Sequence, residues 1–144
     1  MKVITLWQPW ANLIIDGMKR IETRSWATSY RGPIGIHSAK RPPLDGLLKD
    51  LDEKSRQFVI ETYGEVLNCK DKFPTGVILG HTELIECIRI TEAYSAYVKK
   101  YMPKEYAFGD YTPGRWAWVM GDNPIKFSDP IPAKGMQRLW NYDL

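Results

Sequence analysis

The densest group of chemically useful side chains lies in the segment from Gly17 to Arg24, GMKRIETR. It contains a lysine, a carboxylate and an arginine, at Lys19, Glu22 and Arg24. Because strand side chains alternate between two faces, Glu22 and Arg24 share a face if a strand begins near Lys19. Gly17 allows the sharp turn that brings Lys19 over the same surface. Arginine offers a planar fork to phosphate or a base edge, lysine a point charge, and glutamate an acceptor for an exocyclic amine.

Aromatic side chains just before this segment could provide a stacking surface. Trp7 and Trp10 flank the pair Gln8-Pro9, in a chain with six Trp and eight Tyr among 144 residues. Aromatic rings fill cores, and they are also the surfaces on which bases stack. Two interpretations stay open. Either the lysine, glutamate and arginine line a nucleotide pocket with Trp7, Gln8 or Trp10 at its edge, or the glutamate and arginine only pair with each other on a solvated strand face.

Two polar residues in the apolar run 33–39 are further candidates. His37 and Ser38 could form a cleft wall that hydrogen-bonds a base, or the histidine could be a satisfied residue in the interior of the fold. The chain's other histidine, His81, has equally few partners for metal binding in the sequence. The sequence therefore predicts no metal site and no cofactor.

Two features elsewhere allow a structural or a binding role. Trp116 and Trp118 share one face of a strand, so at least one is expected in the core, and stacking on a base is the alternative. The basic pair Lys40-Arg41 is either a solvated loop or a phosphate contact.

Helices and strands must position these residues, and the periodicity of apolar residues predicts where they lie. Gly80 within the longest predicted strand indicates a bulge or a close backbone approach. The proline-rich segment 130–135 excludes a helix, and we expect the tail to pack through Leu139, Trp140 and Tyr142. Short strands with irregular connections favour an α+β fold, a small β-barrel of five to six strands decorated by two or three helices. The predicted strands cover 2–7, 20–26, 33–39, 76–91, 115–120 and 125–127, and the helices cover 8–17, a stretch within 44–69, and 92–102.

Composition limits the class of protein. A chain of 144 residues with 44% hydrophobic and 26% charged residues is expected to form one globular domain over residues 1–144. The net charge of +3 permits an anionic partner without requiring one. No signal peptide or membrane span is predicted, and Cys69 and Cys87 are expected to be reduced thiols of a cytoplasmic protein, with one disulfide as the alternative.

Taken together, the motifs resemble the ASCH family. The run LWQPWA at 6–11 precedes the family's mark G-x-K-x-x-E-x-R, which stands here at 17–24 and is followed by Ser25-Trp26. Further similar pieces follow in the expected order and cover essentially the whole chain except 44–69: GIHSA at 35–39, GVILG at 76–80, YAFG at 106–109, GRWAW at 114–118, and PIPAKG at 130–135 with Leu139-Trp140.

This resemblance implies a PUA-like β-barrel and a binding function. In the family, the motif residues line a cleft between barrel and helix that is proposed to hold RNA or a modified nucleotide. The residues that would bind the ligand here are then Trp7, Gln8, Trp10, Lys19, Glu22, Arg24, His37 and Ser38. We therefore predict an RNA- or nucleotide-binding protein with no membrane partner.

The alternative that the resemblance implies is a hydrolase acting on RNA or a modified nucleoside. One branch is similar to acetylcytidine amidohydrolases, which use a threonine three residues after the motif lysine, that lysine and a distant glutamate. Lys19 is retained, but Glu22 occupies the threonine position, and Thr23 should point to the opposite strand face. Another branch is associated with RNA cleavage, in which Lys19 and Arg24 would stabilise a phosphorane and Glu22 would act as base. Candidates for the distant acid are Glu92, Glu105 and Asp110.

Overall fold

The molecule combines one mixed sheet with short helices. A computed structural model describes residues 1–40, 52–64 and 73–143. Its described strands are β1 (Lys2–Leu6), β2 (Ile21–Arg24), β3 (Gly32–Ser38), β4 (Val77–Arg89), β5 (Trp116–Met120), β6 (Ile125–Pro132) and β7 (Leu139–Asn141). Its described helices are α1 (Trp10–Ile15), α2 (Glu53–Tyr63), α3 (Glu92–Tyr101) and α4 (Pro103–Ala107). The predicted α+β class is confirmed.

The strands follow the order β2-β5-β4-β3-β1-β7, and β6 pairs with β4. β1 and β3 are parallel, while every other described pair is antiparallel. β4 is long enough to serve three neighbours. It pairs with β3 along one edge, and along the other with β6 at residues 77–81 and with β5 at residues 84–89. β4 therefore lies at the centre of the fold.

The expected barrel of five to six strands is not confirmed. The described sheet has seven strands and is not closed, because β2 pairs only with β5 and β7 pairs only with β1. The strand missing from the prediction is β7, Leu139–Asn141, and the strand predicted at 125–127 is longer than expected. β6 continues from Ile125 through Pro130 to Pro132, which is compatible with a strand that has one described neighbour, since proline is tolerated at an edge. The expected two or three helices become four among the described residues.

The main core lies between the sheet and α1. Trp118 is fully buried there, while Trp116 packs against it half-buried, so the prediction that at least one of the two is core is confirmed. Gly80 makes the expected close approach, because a Cβ atom at this position would lie 2.0 Å from the carbonyl oxygen of Ile125. β4 and β6 can pair here only because residue 80 has no side chain.

The connections agree with the predictions in kind, and their boundaries differ. α1 begins at Trp10 and is shorter than the predicted 8–17, and Gly17 follows it with a φ of +79°. α2 falls inside the predicted stretch 44–69, and Asp52 caps it by accepting a hydrogen bond from Ser55 N at 2.7 Å. Residues 44–51 and 65–69 of that stretch, the latter including Cys69, lie outside the described residues, and so does Arg41. Cys87 is a free thiol.

In the part of the chain that the structure describes, no helix combines the length and the apolar character needed to cross a membrane.

Candidate functional site

A cavity of about 570 Å³ opens beside the motif strand β2, and we call it the Arg24 cavity. Five parts of the chain enclose it: the end of β1, the start of α1, β2, the first turn of α2, and the segment that connects α4 to β5. Its volume is within the range of roughly 300–1,000 Å³ that is common for small-molecule sites. The residues around it are Thr5, Leu6, Trp7, Trp10, Glu22, Thr23, Arg24, Asp52, Ser55, Ala107, Phe108, Gly109, Asp110 and Arg115.

The alternating pattern of β2 places Glu22 and Arg24 together on the wall of this cavity. Arg24 Nε lies 3.5 Å from Glu22 Oε2, and Arg24 Nη2 donates a hydrogen bond to the carbonyl oxygen of Thr5 at 2.8 Å. The Nε atom of Arg24 is buried and has no hydrogen-bond partner among the described residues. The arginine is thus held in place by the Thr5 carbonyl and by the charge of Glu22.

Lys19 is not on the cavity wall, contrary to the expectation that all three motif side chains line one cleft. It is 1% exposed, its Nζ donates to the carbonyl oxygen of Ile21, and it lies 3.7 Å from Glu22 Oε1. The physical reason is in the backbone before β2. The N–H groups of Met18 and Lys19 both donate to the carbonyl oxygen of Leu13, which ties this turn to the end of α1. Lys19 is therefore a buried counter-charge for Glu22.

The two tryptophans before the motif line the Arg24 cavity, and Gln8 between them has a different role. Trp7 is 54% exposed and Trp10 is half-buried, and both line the Arg24 cavity. Gln8 is not among the lining residues. It is 1% exposed, its Nε2 donates to Asn12 Oδ1 and to the carbonyl oxygen of Pro74, and its Oε1 accepts from Asn12 N. The amide supports the start of α1.

The structure adds an arginine that the sequence reasoning missed. Arg115 lines the cavity, its Nε lies 3.5 Å from Asp110 Oδ2, and its Nη2 donates to the carbonyl oxygen of Thr23 at 3.3 Å. Hydrogen bonds from Thr112, followed by the charge of Arg115, hold the pKa of the Asp110 carboxyl below its usual range. Arg115 stood at the start of a predicted strand, and nothing in the local pattern connected it with β2.

Of the hydroxyl and the acids considered for hydrolysis, Thr23 and Asp110 line the Arg24 cavity, which corrects the expectation that Thr23 points away from it, whereas Glu92 and Glu105 are not among the lining residues. Thr23 Oγ1 accepts a hydrogen bond from Asp110 N at 3.0 Å. Glu105 is 8% exposed and accepts from Arg20 N at 2.6 Å and from Ile21 N at 3.4 Å, so it supports the start of β2. Glu92 is exposed at the start of α3. Of these three candidate acids, Asp110 is the one that lines the Arg24 cavity.

His37 lies outside the Arg24 cavity, which corrects the expectation that it forms part of the same wall. Its Nε2 lies 2.8 Å from the carbonyl oxygen of Ala133, and its Nδ1 lies 3.2 Å from Thr5 Oγ1. Trp140 Nε1 donates to Thr5 Oγ1, so the threonine hydrogen is available to His37 Nδ1 and the histidine is a neutral donor at Nε2. Burial lowers the pKa of His37, with the bond to Ala133 opposing this.

Ser38 is also outside the Arg24 cavity, because it is fully buried and its hydroxyl donates to the carbonyl oxygen of Val77. His37 lines a different cavity of about 790 Å³, the His37 cavity, together with the exposed Lys40 and Lys134. Both residues of the pair His37-Ser38 thus support the pairing of β3 with its neighbours. No cluster of three or more histidine, cysteine or acidic side chains suited to a metal occurs within 1–40, 52–64 and 73–143.

Comparisons with known proteins agree with this architecture. Activating signal cointegrator 1 from Mus musculus and that from Homo sapiens are each 25% identical to the chain over 140 residues. These matches cover 97% of this chain and 22% of the relatives, so the chain spans about a fifth of the length of the curated relatives it matches.

The solved structures include ASCH from Zymomonas mobilis. It superposes with a TM-score of 0.54 and 17% identity, covering 90% of this chain and 71% of that one. A mutant of the same bacterial protein gives a TM-score of 0.53 at 17% identity. At this identity the likeness shows the fold. A family model described as the ASCH domain matches residues 4–131. The chain belongs to the ASCH domain family.

Proposed function

We propose that this chain binds RNA by holding one nucleotide in the Arg24 cavity. One observation carries the proposal. An exposed indole, Trp7, borders the same cavity as the guanidinium of Arg24, whose side chain is 27% exposed. An aromatic surface beside a guanidinium donor is what a base needs for stacking and for hydrogen bonding at its edge.

The charges around the cavity favour a base over a bare phosphate as its occupant. Two guanidinium groups, Arg24 and Arg115, line it together with the carboxylates of Glu22, Asp52 and Asp110. Each arginine lies 3.5 Å from one of these acids. A pocket with two cationic and three anionic side chains does not attract a dianion, but a carboxylate in it can accept from an amino group while a guanidinium donates to a ring nitrogen or carbonyl.

Trp7→Ala tests the proposal through the stacking surface. Loss of base stacking weakens binding by about 1–3 kcal/mol, so we expect roughly a fivefold to hundredfold rise in the dissociation constant for a mixed-sequence single-stranded RNA. Fluorescence anisotropy of labelled RNA measures it. Tyr101→Ala is the matched control, because Tyr101 is 61% exposed and lies outside the lining of the Arg24 cavity. Equal affinity in the wild type and Trp7→Ala contradicts the proposal.

The hydrolase alternative receives less support from the geometry. Acyl transfer needs a hydroxyl nucleophile beside a base, whereas Lys19 is buried with its amino group on the Ile21 carbonyl, and Thr23 Oγ1 already accepts from Asp110 N. We therefore expect acetylcytidine to remain intact in the presence of the protein. Deacetylation that disappears in Lys19→Ala would contradict the binding function and favour the amidohydrolase.

A further inference from the structure

A second cavity shares part of its wall with the Arg24 cavity. It measures about 460 Å³ and lies between the first turn of α2, the end of α3 and the segment after α4. We call it the Lys99 cavity. Four residues line both cavities: Asp52, Ala107, Gly109 and Asp110. A molecule that fills the Arg24 cavity and extends along this shared wall enters the Lys99 cavity.

Two exposed lysines give this second cavity its chemistry. Lys54 and Lys99 line it, and neither has an ion-pair partner among the described acidic residues. Lys99 Nζ lies 5.8 Å from the ring centroid of Tyr106, another lining residue. Two exposed ammonium groups that form no direct ion pair, one of them beside an aromatic ring, favour an anion that is connected to a planar group.

The acids on the shared wall are already engaged. Asp52 accepts a hydrogen bond from Ser55 N, and Asp110 accepts from the backbone and hydroxyl of Thr112 and lies beside Arg115. These bonds lower the pKa of both carboxyls, and they leave Lys54 and Lys99 as the side chains available to a ligand anion.

Tyr111 adds a buried phenol to the same region. It lines the Lys99 cavity, it is 3% exposed, and its hydroxyl has no hydrogen-bond partner within the described ranges. Burial, followed by the charge of Glu105, raises the pKa of this hydroxyl, so it stays protonated. The phenol therefore adds no negative charge that would repel a phosphate.

We infer that the Lys99 cavity binds the sugar-phosphate backbone adjacent to the nucleotide in the Arg24 cavity, so the ligand is single-stranded RNA of at least two nucleotides. This inference rests on the proposed function and narrows its ligand class. The Arg24 cavity recognises a base, and the lysines of the Lys99 cavity hold the connecting phosphate. Free nucleosides fill only the first cavity.

The test compares a Lys54→Ala/Lys99→Ala double variant with the wild type. One ligand is a short mixed-sequence single-stranded RNA, and the others are the free nucleosides adenosine, cytidine, guanosine and uridine. For RNA, we expect weaker binding and a slope of log affinity against log salt that is smaller by about 0.7, because the one connecting phosphate that the lysines neutralise contributes about 0.7 in a single strand. Nucleoside affinity, measured by NMR titration, is expected to be unchanged because nucleosides have no phosphate.

The matched control is Lys40→Ala/Lys134→Ala, which removes two exposed lysines from the His37 cavity. An unchanged RNA salt slope in Lys54→Ala/Lys99→Ala overturns the inference. An equal loss of RNA affinity and of salt slope in the control also overturns it, since that would indicate attraction to net charge alone. If the wild type binds nucleosides and neither double variant changes the RNA affinity, this inference is overturned and the proposed function still stands. No binding of RNA or nucleoside by the wild type overturns the proposed function itself.

Discussion

The guanidinium of Arg24 donates a hydrogen bond to the carbonyl oxygen of Thr5 at 2.8 Å, and this bond joins two strands that are far apart in the sheet. Arg24 ends β2 and Thr5 lies in β1, and β5, β4 and β3 separate these strands in the sheet order. The sheet must therefore curl so strongly that its β2 edge approaches β1. A side chain makes the connection that a backbone ladder would make in a closed barrel, and the Arg24 cavity forms at this place.

The first prediction concerns the buried pair Lys19–Glu22. In Glu22→Gln the Lys19 ammonium, whose side chain is 0% exposed, loses the carboxylate 3.7 Å away. Leaving a buried charge without its partner costs about 3–5 kcal/mol, so we expect a fall of that order in the free energy of unfolding, measured by urea denaturation. Glu86→Gln is the control, since that carboxylate pairs with Arg31 on the exposed surface and its loss should leave the midpoint unchanged. Equal midpoints for the two variants would disprove the role of Glu22.

The second prediction is a pH dependence due to His37. Burial lowers its pKa in the folded protein below the usual value of 6.5. The unfolded chain then binds a proton more readily, so this contribution to stability is fully present above pH 6.5 and is lost as the pH falls below it. In His37→Gln we expect lower stability at neutral pH and a shallower decline on acidification. Urea denaturation above and below pH 6.5 measures this, and parallel pH profiles for the two proteins would refute it.

The third prediction separates two glycines of the sheet region. A Cβ at position 80 would lie 2.0 Å from the Ile125 carbonyl oxygen, whereas one at position 121 would lie 3.4 Å from the nearest atom, Glu83 Cβ. Forcing an extra methyl group into a packed position costs about 1–3 kcal/mol or more. Gly80→Ala should therefore lower the melting temperature clearly while Gly121→Ala leaves it nearly unchanged. Similar melting temperatures for the two variants would show that β6 can move away from β4 at little cost.

The site was predictable from the sequence where its geometry depends on neighbouring residues. The two-residue period of a strand was enough to place Glu22 and Arg24 on one face, and both line the same cavity. Lys19 could not be placed in this way, because its position depends on the backbone bonds from Met18 and Lys19 to Leu13 at the end of α1.

Contacts between distant segments were not predictable. The position of His37 is fixed by its hydrogen bonds to Ala133 and to Thr5, and Thr5 is in turn bonded to Trp140. Arg115 contacts β2 through its hydrogen bond to the carbonyl oxygen of Thr23. The same holds for the sheet, whose strands were mostly predictable from local patterns. Which edges pair depends on curvature that no short segment encodes.

The most direct test of the account is the affinity of Arg24→Ala for mixed-sequence single-stranded RNA. Removing one charged partner of a desolvated ligand contact costs about 2–5 kcal/mol, so we expect at least a roughly tenfold weaker affinity in anisotropy titrations. Circular dichroism should show an unchanged fold. Arg31→Ala controls for charge, because Arg31 is an exposed arginine paired with Glu86 and lies outside the lining of the Arg24 cavity. Arg24→Ala that folds and binds RNA as tightly as the wild type would contradict the account.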